Sequence, residues 1–160
     1  MQLSIRPWTE ADASVIAEAL NDAGVTDNLR DGLPTPYTEA DARDYIAFAQ
    51  TAGEGAYAFA IAEDGVAVGS IQLTRQQNIH RRTAELGYYV VRRRWGAGIC
   101  TEAVRQICRF AFENTDVLRI FAEPFAENAA SCRVLEKAGF QLEGVLRRNT
   151  VKNGQVRDMR

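Results

Sequence analysis

The chain has 160 residues, enough to bury the core of one domain spanning residues 1–160. Its hydrophobic content of 46%, charged content of 25% and net charge of −2 form an ordinary globular balance and argue against a general nucleic-acid binder. No run approaches the roughly 18 apolar residues a membrane span needs, and Cys100, Cys108 and Cys132 are an odd number without metal-ligand spacing.

Residues 2–6 read as a short strand. Thr9-Glu10-Ala11-Asp12 has capping-box form and opens a helix to about residue 20. The same tetrapeptide recurs at Thr38-Glu39-Ala40-Asp41 and opens a second helix to about residue 50. The flanks of the two copies do not match, so they read as two helix starts rather than as an internal repeat. Between them lies a loop, residues 27–37, holding Pro34 and Pro36. Residues 57–62 and 66–73 flank Glu63-Asp64-Gly65, a hairpin signal. A third strand covers residues 83–91. Ala103, Val104, Ile107, Phe110 and Ala111 recur with helical period across residues 101–113. Residues 117–122 return to strand. Asn128 suits the cap of a helix that runs to Lys137 and stops at Gly139. Residues 145–150 and 155–160 surround Lys152-Asn153-Gly154, a second hairpin signal. The N-terminus shows neither a basic leader nor an apolar signal core, so the expectation is a reduced, cytoplasmic protein.

The most informative stretch is Arg93-Arg94-Trp95-Gly96-Ala97-Gly98-Ile99-Cys100-Thr101. Two glycines one residue apart follow an apolar strand and precede a helix. Glycine lets a backbone approach a ligand closely, and a helix start offers unpaired N–H groups and a positive dipole. The segment reads as a cradle for a phosphate-bearing ligand, with Arg92, Arg93 and Arg94 beside it. A dinucleotide-binding turn would need a third glycine where Thr101 stands, and a P-loop would need Gly-Lys-Ser/Thr. Both alternatives fail on residues.

Arg93-x-x-Gly96-x-Gly98 after a strand resembles the acetyl-CoA motif of the GNAT N-acetyltransferases. A second block agrees: Asn128-x-x-Ser131-x-x-Val134-Leu135-Glu136-Lys137-Ala138-Gly139-Phe140, then Glu143-Gly144. With Ala84-Glu85-Leu86-Gly87-Tyr88, the opening Ile5-Arg6-Pro7 and Pro34-x-Pro36-Tyr37-Thr38, it is similar to the ribosomal-protein N-terminal acetyltransferases of RimJ/RimL type. The resemblance covers nearly the whole chain. It implies an α/β (α+β) GNAT fold: a mixed, mostly antiparallel central sheet flanked by helices, with strands splayed at the acetyl-CoA site. It also implies a final strand, with a short tail, longer than residues 155–160 supply.

The resemblance further implies an enzyme that moves acetyl from acetyl-CoA, as co-substrate, to a primary amine by direct attack, with no metal. Backbone groups of Arg94, Gly96, Ala97, Gly98, Ile99, Cys100 and Thr101 would wrap the pyrophosphate, and the arginines, Arg93 and Arg94 among them, would add charge-assisted contacts, against the plainer reading of a solvated loop that at least one of the three is expected to follow. Freed backbone groups at Val90 and Val91 would pair with the pantetheine arm. Asn128 would cap its helix and bind the pantetheine amide. Lys137 would meet a CoA phosphate or merely cap its helix. Glu85 is the candidate general base, against the plainer reading of a surface carboxylate paired with Arg81 or Arg82. Ser131 is the candidate proton donor to the departing thiolate, against a first-turn serine bonding local backbone. Tyr88 and Tyr89 alternate on one strand, so one faces the core and the other the cleft. A covalent route through Cys132 with His80 as base lacks a third orienting residue.

Three functions compete. The first is acetylation of a protein N-terminal α-amine, about a tenth of which is neutral at pH 7 given a reference pKa near 7.8. The second is acetylation of a small amine such as a polyamine, amino sugar or antibiotic. The third is a non-catalytic acyl-CoA-binding module. The first two would differ at the 27–37 loop and the last hairpin. Neither a nucleic-acid nor a membrane partner is expected, and the expected state is a monomer or homodimer.

Overall fold

The computed structural model describes residues 2–53 and 55–160. Strand β1 (Leu3–Arg6) leads into a 3-10 turn (Glu10–Asp12) and helix α1 (Ala13–Leu20). Thr9 and Asp12 close this entry, with the Asp12 carboxylate accepting from the Thr9 N–H at 2.9 Å. A one-turn helix α2 (Ala23–Thr26) follows, capped by the Asp22 carboxylate on the Gly24 N–H at 2.9 Å. It is too short to show helical periodicity, so no sequence signal marks it. Helix α3 (Glu39–Thr51) begins at the second capping box, where Thr38 Oγ1 accepts from the Asp41 N–H at 3.1 Å.

Strands β2 (Ala56–Glu63) and β3 (Val66–Arg75) form the first hairpin, and β4 (Thr83–Val90) follows a 3-10 turn at Asn78–His80. A further 3-10 turn (Arg92–Arg94) leads to helix α4 (Ile99–Asn114), two residues earlier than its periodicity indicated. Strand β5 (Arg119–Phe121), helix α5 (Ala129–Lys137) and the hairpin β6 (Leu146–Lys152) and β7 (Gln155–Met159) complete the chain.

The main sheet has the order β1-β2-β3-β4-β5, antiparallel except for the parallel β4–β5 pair. That last pairing is brief: Thr83, Ala84 and Glu85 match Arg119, Ile120 and Phe121. Beyond Glu85 the two strands part, as the family resemblance implied, and β5 is shorter than the 117–122 run. The β6–β7 hairpin forms its own two-stranded sheet rather than extending the first. It is joined to the stretch after β5 by a bridge between Met159 and Phe125 and by bonds from the Ala126 N–H to the Asp158 carbonyl and the Arg160 N–H to the Pro124 carbonyl.

Each face of the sheet buries its own cluster. On one face Ile61, Ile71 and Leu73 pack with Val104, Ile107 and Ala111 of α4. On the other, Trp8, Ile16, Tyr37 and Ile46 cover Ala60 and Ala67. Each buried Ile or Leu contributes about 1.5–3 kcal/mol relative to exposure. The two layers hold β4 between helices on both sides and leave its outer edge open past Glu85. Among the described residues, no helix is long and apolar enough to cross a membrane.

Candidate active site

The open edge of β4 borders a cavity of about 890 Å³. One end is made by the turn into α4. Gly96 and Gly98 hold φ of +78° and +75°, a left-handed backbone that L side chains rarely adopt. A Cβ at either position would meet no heavy atom within 4 Å, so the turn faces open space. Gly98 is the N-cap of α4 and offers no side chain to its first-turn N–H groups. Those groups, and the positive end of a 16-residue helix, are left for a ligand. Trp95 pins the turn to the strand by donating from Nε1 to the Val90 carbonyl at 2.8 Å.

The arginine cluster is engaged by acids from other elements. Arg92 binds Asp22 at 2.6 Å and lies over the Trp95 ring at 5.0 Å. Arg93 binds Glu18 at 3.1 Å, and Arg94 binds Glu63. The hydrogen bond from Arg92 holds the Asp22 carboxyl down at about 2. The acids of α1, the α2 cap and β2 thus engage these side chains, and Arg93 does not line the cavity, whereas Arg94 does. Val91 also departs from expectation. It is fully buried, and its N–H is already given to the Val68 carbonyl at 2.9 Å. Val90, Gly96, Ala97, Gly98, Ile99, Cys100 and Thr101 do line the cavity.

Midway along the cavity, α5 presents its first turn to β4. Asn128 Oδ1 accepts from the Ser131 N–H at 3.2 Å, so the cap is real and the amide NH2 stays available. Ser131 Oγ lies 2.6 Å from the Tyr88 hydroxyl, which is also placed to donate to the Ser131 carbonyl at 3.3 Å. Burial pushes the Tyr88 phenol up to about 12, against the opposing pull of its bond to Ser131. It therefore keeps its proton at neutral pH. Tyr89, on the opposite face of β4, is raised further by burial and packs beside the Trp8 and Tyr37 cluster. The alternation assigned one tyrosine to the core and one to the cleft; both line the cavity, because the parting of β5 exposes the strand edge itself. Lys137 lines the cavity from the end of α5, and its carbonyl accepts from Arg105 at 2.8 Å.

At the other end stands Glu85, on the last β4 residue that β5 pairs. Its partner is neither Arg81 nor Arg82. Arg30 Nη2 reaches it from the 27–37 segment at 3.3 Å, while Arg82 turns to Asp116. The last hairpin closes on the same segment: Lys152 binds Asp31 at 2.8 Å, and Asn153 donates to Asp27 at 3.0 Å. The loop and hairpin are where the two amine readings would differ, and no sequence spacing pairs their residues. Tyr45, whose hydroxyl donates to Gln72 Oε1 at 2.7 Å, also lines this end and had no motif to flag it.

The cysteine route finds no geometry. Cys132 Sγ sits 3.9 Å from the Phe125 carbonyl, and His80 is exposed in the turn before β4. Burial pushes the Cys100 thiol up to about 12, so it carries no thiolate at neutral pH. Among the described residues, no cluster of His, Cys, Asp or Glu could hold a metal ion.

Residues 2–141 match the family of the acetyltransferase (GNAT) domain. The chain is 39% identical over 97 residues to the probable N-acetyltransferase YjcK of Bacillus subtilis (strain 168), a match covering 61% of this chain and 54% of that protein. The chain thus spans about half the length of this curated relative. Mycobacterium smegmatis RimJ, solved in complex with CoA-disulfide, superposes with a TM-score of 0.86 at 24% identity, covering 98% of this chain and 78% of that one. The Vibrio cholerae spermidine N-acetyltransferase, solved with CoA and spermine, superposes with a TM-score of 0.83 at 19% identity, covering 99% and 92%. These identities establish a shared fold.

Proposed function

Since this chain belongs to the GNAT acetyltransferase family, we propose that it transfers acetyl from acetyl-CoA to the N-terminal α-amine of a protein, by direct attack and within one domain. The observation that carries the reading is a single cavity joining the left-handed glycine turn, the Ser131–Tyr88 pair and Glu85. The residues fit the co-substrate. The turn is open where phosphate would approach, the α4 N-terminus is uncapped by a side chain, and the β4 edge is unpaired past Glu85. First-turn N–H groups of α4 would hold the diphosphate, and the β4 edge with the Asn128 amide would hold the pantetheine arm. When bound, acetyl-CoA supplies an electrophilic thioester carbonyl and a thiolate leaving group.

Glu85 accepts the proton that the amine sheds, directly or through water. Ser131 donates to the departing sulfur. With the Tyr88 phenol hydrogen directed to Ser131 Oγ, one of the two orientations their 2.6 Å contact allows, the serine hydrogen is left to bond the sulfur. An α-amine suits this machinery because a fraction of about a tenth is already neutral at pH 7, whereas lysine at about 10.4 has only a few parts in ten thousand. The second reading, a small-amine acetyltransferase, has the Vibrio cholerae neighbour in its favour. The cytoplasm, where the thiols of Cys100, Cys108 and Cys132 would stay reduced, is the location this reading carries.

The test is acetyl-CoA turnover with three acceptor sets: peptides with free N-termini, the same peptides blocked at the N-terminus but bearing lysine, and a panel of small amines. Free N-termini are expected to give the highest kcat/KM. A clear preference for blocked peptides or for a polyamine overturns the α-amine assignment. Calorimetry on folded protein without any CoA uptake overturns the enzyme reading altogether.

A further inference from the structure

The acceptor end carries a charge arrangement that amine acetylation itself does not require. Arg30 lies on the segment between α2 and α3, yet its Nη2 bonds Glu85 Oε2 and the Glu123 carbonyl, each at 3.3 Å. One guanidinium thus spans the cavity mouth from the acceptor loop to β4 and to the stretch after β5. Asp31 of that loop is paired with Lys152, whereas Asp27 accepts a hydrogen bond from the neutral Asn153 amide. Lys152 is itself buried, so Asp31 is the counter-charge of a lysine out of water. Glu123 also lines this end, and the rest of its wall is mostly apolar or aromatic, with Val25, Leu29, Leu33 and Tyr37.

A polyamine entering this mouth finds Glu85 and Asp31 already paired with cations, and a fixed guanidinium beside the carboxylate that must receive the amine. A monoamine fares differently. When its nitrogen takes Glu85, the guanidinium loses one acceptor and presents planar N–H donors to whatever follows the amine. A peptide carbonyl or a carboxylate meets that need, and the fork geometry favours the carboxylate.

We propose that Arg30 is a specificity residue that selects acceptors by charge, favouring an N-terminal amine followed by neutral or acidic groups and rejecting polycations. This rests on the reading of the cavity as an amine-acceptor site. The experiment compares kcat/KM of wild type, Arg30→Gln and Arg30→Lys on three acceptors: a short peptide with glutamate at its second position, the same peptide with lysine there, and spermidine. Arg30 is largely exposed, so the expected preference of wild type for the glutamate peptide over the lysine peptide is about five-fold. That ratio is expected to approach one in Arg30→Gln, with spermidine gaining on the glutamate peptide by a similar factor. Arg30→Lys, which keeps the charge, should retain most of the discrimination, and the wild-type ratio should shrink at high salt. Equal loss on all three acceptors, or a ranking untouched by Arg30→Gln, overturns the inference while leaving the acetyltransferase reading intact. A wild-type enzyme that binds CoA but acetylates none of the three overturns the acceptor-site reading and the inference with it.

Discussion

Ser131 and Tyr88 make a unit that no single residue explains. A serine hydroxyl alone is a poor acid, and a buried phenol near 12 is reluctant to ionise. Joined at 2.6 Å, the phenol orients the serine without itself giving up its proton. In the proposed mechanism, removing the serine deletes a hydrogen bond to the departing thiolate, and losing one such preorganised donor costs about 10²–10³ in rate. Ser131→Ala is therefore expected to lower kcat about a hundred-fold, with the Kd for CoA changed by less than about two-fold. Tyr88→Phe should lower kcat by about ten-fold, and the double variant should be no slower than Ser131→Ala, because coupled residues do not add. Stopped-flow turnover beside calorimetric CoA binding measures all of this. Equal losses in kcat and CoA affinity would make Ser131 a binding residue, and multiplicative losses would separate it from Tyr88.

At the scale of elements, the site depends on how α4 begins. Gly98→Ala adds a methyl group that meets nothing in the protein, so its cost is the left-handed backbone, about 1–2 kcal/mol. For a chain of this size that corresponds to a fall of about 2–6 °C in Tm. In the proposed site the same methyl group would stand where the diphosphate approaches, so CoA affinity should drop by at least about ten-fold. Gly69→Ala makes the useful contrast. Its Cβ would lie 2.3 Å from the Tyr89 carbonyl oxygen, and backbone in β4 would have to move. Gly69→Ala should lose more stability than Gly98→Ala, measured by thermal melting, whereas Gly98→Ala should lose CoA binding out of proportion to its stability. CoA binding by Gly98→Ala at wild-type strength would remove the turn from the cofactor site. What the sequence made legible here is local. The glycine turn, the two capping boxes, the Asn128 cap and both hairpins each lie within one short window, where backbone preference and side chain meet. The arrangement proposed to select the acceptor is not local. Glu85 meets Arg30 across 55 positions and Lys152 meets Asp31 across 121, and no spacing rule reaches that far. The arginine cluster meets the same limit: its charges are visible in the sequence, but Glu18, Asp22 and Glu63, which engage them, come from distant elements.

Across the whole molecule, arginine–carboxylate pairs fasten elements that the sheet does not join. Arg6 grips Asp12 through two bonds of 2.8 and 2.9 Å, tying β1 to the start of α1. Arg92 ties the turn before α4 to the cap of α2 through Asp22, and Arg119 ties β5 to Glu143. The carboxyls respond in one direction. Burial works against the Asp12 charge, but Arg6 and Thr9 outweigh it and hold the group below its ordinary value. The bond from Arg92 holds Asp22 at about 2, and those from Arg75 and Arg119 hold Asp116 and Glu143 low. A carboxyl with a depressed folded value binds fewer protons in the native state than in the unfolded chain. Its contribution is complete above the unfolded value of about 4 and is lost as pH falls through the folded one. The three exposed pairs add little individually. Asp12 is 7% exposed and hydrogen-bonded at both oxygens, so Asp12→Asn should cost about 1.5–3 kcal/mol at pH 7, the range for bonds to a charged group. The Tm of wild type should hold nearly level from pH 8 to 6 as far as these groups are concerned, then fall from about pH 4 towards pH 2. The Asp12→Asn curve should start lower and converge on wild type at the acid end, where the native carboxyl is protonated as well. Two curves that stay parallel down to pH 2, measured by calorimetry, would mean that Asp12 stabilises through shape rather than charge.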